Sequence, residues 1–181
     1  MQQLRISMAM AAATVVAYLL MLALNEWLFA NSTFVPGIHW VYLPAGLRLL
    51  CTLLFGGAGA IGLLCASFLV SFYGNFPGDL ERSLGGAILT SLVPYACYQV
   101  AQMAFGLRSS LANLSATQLL ACALIFSLAN PLLHHAWFVL RGDHVDLARS
   151  FVVMFVGDLS GTLLLLYGVK TVLYFLPEPQ R

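Results

Sequence analysis

Charge is what this sequence has least of. Only 8% of its 181 residues are Asp, Glu, Lys or Arg, where a soluble domain carries about 25%. Its formal net charge is +1, so no basic stripe exists to neutralise a phosphate backbone and nucleic acid is excluded as a partner. Cysteine is sparse too. Cys51, Cys65, Cys97 and Cys122 lie in apolar runs, without CxxC spacing or a histidine at ligand distance, and read as small buried hydrophobes. Motifs that carry chemistry are missing: no GxSxG, HExxH, nucleotide-binding glycine loop or motif-spaced pair of loop carboxylates occurs. An enzyme is the least favoured class, and no cofactor is expected.

What is present is apolar sequence. Hydrophobic residues make up 61% of the chain and the mean hydropathy is +0.89, which places it in a lipid bilayer. A helix needs ~20 residues to cross ~30 Å of hydrocarbon. That length divides the chain into spans near 7–30, 39–56, 58–74, 84–106, 116–140 and 150–174. The polar segments between them are too short to fold alone. The expectation is therefore all-α: a polytopic transmembrane bundle of about six spans, with 1–181 as a single integral membrane domain. The first apolar run exceeds the ~7–15 residues of a signal-peptide core and no AxA site follows, so an uncleaved first span is expected.

The boundary between spans two and three is the weakest. LLFGGAGAIG must make a tight turn around Gly56, Gly57 and Gly59, because 39–73 is too long for one crossing and barely enough for two. A re-entrant hairpin is the alternative, and it is expected to put the C-terminus on the opposite side. Basic residues vote weakly for a cytoplasmic N-terminus: Arg5, Arg108, Lys170 and Arg181 fall on one side, Arg82, Arg141 and Arg149 on the other. Trp27, Trp40 and Trp137 then gather towards the outer interface as an aromatic belt.

Few ionisable residues fall within spans: Glu26 late in span one, Arg48 in span two, His134 and His135 late in span five, and Asp158 early in span six. All five occupy the same half of the membrane. Charge at such depth costs ~3 kcal/mol or more and points to function by default, although ion pairs that merely fix packing remain the plain alternative. Arg48 and Asp158 sit at matching depth and are expected to pair. Glu26, about one turn from the interface, has the further option of reaching water. His134 and His135 project roughly 100° apart and lack a histidine on another span, which argues against a metal site.

Gly157 and Gly161 have GxxxG spacing, with Gly168 two turns on, and are expected to let a neighbouring helix approach closely. Ala9, Ala13 and Ala17 form a similar row in span one. Pro94 and Pro131 interrupt spans four and five, where each removes a backbone donor.

The segment HWVYLPAGLRLLCTLLFGGAGAIG resembles the first membrane-associated sensor domain family, found at the N-termini of bacterial histidine kinases and diguanylate cyclases. The similarity lies in an aromatic residue (Trp40 or Tyr42), then Pro44, Ala45 and Gly46, then Leu47, Leu49, Leu50 and the glycine turn, with Gly157–Asp158 as a late GD pair. It makes Arg48 look like a family feature. The resemblance implies a bacterial inner-membrane, multi-pass module of sensor type. Such a module binds a small-molecule ligand or a partner membrane or signalling protein and relays a signal. Members of that family carry more spans and a cytoplasmic output domain, whereas this sequence ends at LPEPQR, so the signal would pass to a separate partner. Two alternatives stay open: a substrate-binding subunit of a small-molecule transporter, similar to those of energy-coupling factor systems, and an accessory subunit of a membrane complex.

Overall fold

The computed structural model describes residues 1–35, 37–107, 114–142 and 146–175. Arg108 and Arg181, two of the basic residues that bear on orientation, lie outside them, as does the side chain of Lys170. Among the described residues six helices form a single bundle: α1 (Gln2–Phe29), α2 (Leu43–Phe55), α3 (Gly57–Val70), α4 (Leu80–Phe105), α5 (Ala116–Arg141) and α6 (Leu147–Phe175). A two-stranded antiparallel hairpin, β1 (Thr33–Val35) and β2 (Ile38–His39), joins α1 to α2, and a π-helical turn at Ser71–Asn75 extends α3. Five of the helices are long and apolar enough to cross a membrane.

The ends of these helices follow from local chemistry. The Asp79 carboxylate accepts from the Arg82 amide at 2.9 Å and caps α4. Ser115 and Gln118 form a reciprocal capping box at the start of α5. Where α4 and α5 approach at one end, Arg141 holds Asp79 through two N–H···O bonds of 3.2 and 3.0 Å.

Helix α2 is the exception in length and in position. Its 13 residues rise only ~20 Å, short of the ~30 Å hydrocarbon thickness. It packs against α1, α3, α4 and α6 and ten of its residues are buried. A helix enclosed by other helices does not need a lipid-matched length. Leu49 and Leu53 meet Val93, Cys97 and Phe126 on one side, while Leu47 and Cys51 meet Tyr18, Leu63 and Ala66 on the other.

The chain reverses at Gly56, whose φ of 54° and ψ of −128° suit glycine alone. A Cβ there would also crowd the Tyr98 ring. Tyr98 stands seven residues before the end of α4 at Phe105, so the turn stops ~10 Å short of that end of the bundle. Helix α3 then runs parallel to α1, with Gly62 against Ala11 and Thr14; of the expected row Ala9, Ala13 and Ala17, the first two are exposed and Ala17 is half-buried against the cluster that includes Leu63 and Ala66. The expectation that a re-entrant hairpin would transfer the C-terminus does not hold. A hairpin entering and leaving through one face replaces two crossings by none, so parity is unchanged. Met1 and Phe175 occupy the same side.

Candidate functional site

The centre of the bundle is built around Arg48. Its guanidinium is buried, at 6% exposure, and one nitrogen, Nη2, donates to both Tyr18 Oη and Tyr42 Oη at 3.0 Å. The cation also lies 5.6 and 5.0 Å from the centroids of the same two rings, close enough for cation–π attraction. Both protons of Nη2 are thereby used. Nε is buried without a partner, and no protein acceptor meets Nη1 among the described residues.

Arg48 faces a cavity of about 100 Å³. Tyr18, Tyr42, Thr90, His134 and Trp137 help to line it, and Gly37, Asn75 and Arg82 lie towards the end of the bundle that carries the hairpin. The Arg82 guanidinium rests on the Phe76 ring, 4.0 Å from its centroid.

The expected ion pair between Arg48 and Asp158 is not made. Asp158, 1% exposed, instead accepts from Asn130 Nδ2 at 2.6 Å. Equal depth was necessary for that pair but not sufficient, because direction around each helix also decides contact. Arg48 projects towards α1, whereas Asp158 projects towards α5. Glu26 joins neither group and is exposed near the end of α1.

The two histidines separate as adjacent helical residues must. His134 reaches the cavity, its Nδ1 3.0 Å from the Asn130 carbonyl. His135 turns to α6, with Nδ1 2.7 Å from the Pro131 carbonyl and Nε2 2.8 Å from Ser150 Oγ. Among the described residues no group of three or more His, Cys, Asp or Glu side chains is placed to hold a metal.

Gly157 and Gly161 make a close backbone contact, first with the extended segment that leads into α2 and then with the start of α2 itself. A Cβ on Gly157 would strike the His39 carbonyl and one on Gly161 the Tyr42 carbonyl. Gly161 also borders Gly46, at the start of α2. Gly168 takes no part in this packing: it is exposed, and nothing lies within 4 Å of where its Cβ would be.

Several groups that shape the site were not among the site residues expected from the sequence. Tyr18 and Tyr42 are ordinary aromatics in apolar runs, yet they hold the arginine. Asn25 is 2% exposed and accepts from the Leu43 amide at 2.8 Å, capping α2 from another helix. Thr52 Oγ1 lies 3.2 Å from the Pro94 carbonyl, linking α2 to α4 at its proline. A buried Asn or Thr within a long apolar run was the available clue, since an unpaired amide or hydroxyl is costly in hydrocarbon.

Comparison with family models, with curated proteins and with solved structures found no match.

Proposed function

We propose that the protein is a ligand-binding membrane module of sensor type, in a bacterial inner membrane, which passes the occupancy of the Arg48 cavity to a separate partner protein. One observation carries the reading: a buried guanidinium without a contacting carboxylate keeps N–H groups free beside a cavity. An arginine serving the fold alone would be expected to have its charge neutralised in contact, because a buried cation is expensive otherwise. Two phenols orient it without cancelling its charge. Ligand binding would then supply the missing anion, and the helices that meet at the cavity, α1 to α6, would feel the change.

Arg48→Gln tests this. The amide can still bond a phenol but carries no charge, so the purified variant should unfold at or above the wild-type temperature. Affinity purification from native membranes should recover the same kinase, cyclase or transporter with both forms, but only the wild type should alter that partner's output. A variant that loses the fold, or one that retains full partner output, would remove the ligand-site reading.

A further inference from the structure

The Arg48 cavity has a neighbour on the lipid-facing side of the bundle. Between α4 and α5 runs an open groove of about 460 Å³, lined almost entirely by hydrocarbon from Leu84, Ile88, Leu89, Leu133 and Leu140. Trp137 belongs to the walls of both spaces. Its ring lies across Gly85, where a Cβ would overlap it, and its indole N–H is buried without a partner. The next residue, Gly86, faces the cavity, with nothing within 4 Å of where its Cβ would be. Two consecutive glycines thus strip α4 of side chains at the place where the tryptophan separates the polar cavity from the apolar groove.

Resting on the reading of Arg48 as a ligand site, we propose that its ligand is an amphiphile with a carboxylate head: the head sits on Arg48 and the hydrocarbon tail passes between Gly85–Gly86 and Trp137 into the α4–α5 groove. The head is dictated by charge, since an N–H group of a buried cation that no protein acceptor meets takes a charge-assisted bond to a single carboxylate oxygen. The tail is dictated by continuity, because a cavity of this size holds little beyond a head group and the adjoining wall is one aromatic ring. Trp137 turns aside to admit the chain. Such a ligand arrives sideways from the bilayer, where amphiphiles concentrate, instead of from water.

The experiment uses the full chain in phosphatidylcholine nanodiscs, with 12-bromododecanoate as the probe and tryptophan fluorescence as the readout. Saturable quenching above the level given by 12-bromododecanol is expected, and Trp137→Phe should remove that excess while Trp27→Phe leaves it. Arg48→Gln should abolish saturation, and Arg48→Lys should retain part of it. Ala136→Phe, which narrows the groove and lies outside the lining of the Arg48 cavity, should block the long carboxylate while butyrate still raises the unfolding temperature. If butyrate protects the wild type as well as dodecanoate does, and quenching never exceeds that of the alcohol, the tail path is overturned while the Arg48 ligand site stands. If neither carboxylate has an effect that Arg48→Gln removes, the ligand class itself is wrong.

Discussion

The backbone amide of Tyr42 donates to the carbonyl of Gly157, in the interior of α6, at 3.1 Å. Three residues on, Ser160 Oγ donates to the Trp40 carbonyl at 3.3 Å. An extended segment inside a membrane bundle must find such bonds, because hydrocarbon offers none. The glycines of α6 let it come near enough to do so, and this contact in turn positions α2 and Arg48.

Gly161→Ala should therefore destabilise the protein by about 1–3 kcal/mol, the usual range for overpacking a close contact. Gly168→Ala, with open space around it, should leave stability unchanged or raise it by up to ~1 kcal/mol through helix propensity. Thermal unfolding of both variants in a mild detergent checks the contrast. Equal effects at the two positions would mean that the α6 contact with Tyr42 is not tight.

Asn25 holds the first turn of α2 from outside, so Asn25→Leu leaves the Leu43 amide buried and unsatisfied. The expected loss is about 1–3 kcal/mol. Asn31→Leu, at an exposed position, is the control and should change little. A wild-type unfolding temperature for Asn25→Leu would show that the Leu43 amide finds another acceptor.

Asp79 lies outside the spans, and the Arg82 amide together with the Arg141 guanidinium holds its carboxyl below the ordinary value of 3.8. The folded state thus binds fewer protons there than the unfolded state does. Its stabilisation is present above pH 3.8 and disappears as pH falls through the lower folded-state value. The stability difference between wild type and Asp79→Asn should shrink over that acidic window. Denaturation measured across it decides the matter: a difference that persists in acid belongs to packing and not to charge.

Reporter fusions at Met1 and after Phe175 should read the same compartment, and one inserted at Gly142 the opposite one. The N-terminal compartment should be the cytoplasm, by the weak excess of basic residues there. Opposite readings for Met1 and Phe175 would require an odd number of crossings and a different path for α2 or α3.

The sequence by itself determined the class of the protein. Long apolar runs in a chain so poor in charge admit only membrane helices, and the length of a crossing sets their number within narrow limits. It also brought Arg48, His134, His135 and Asp158 to one half of the bundle, since depth is counted along a helix. Tertiary structure alone decided which of them meet. Contact depends on rotation about each helix axis and on the neighbour facing that side, and an almost uniformly apolar helix such as α1 or α3 carries no periodic pattern to reveal its inward face. Hence Arg48 found Tyr18 and Tyr42 in place of Asp158, and Gly161 met the Tyr42 carbonyl and Gly46, where α2 begins. The shortness of α2 was hidden for the same reason: burial among protein and burial in lipid select the same apolar residues, and only the packing of α1, α3, α4 and α6 around it tells the two apart.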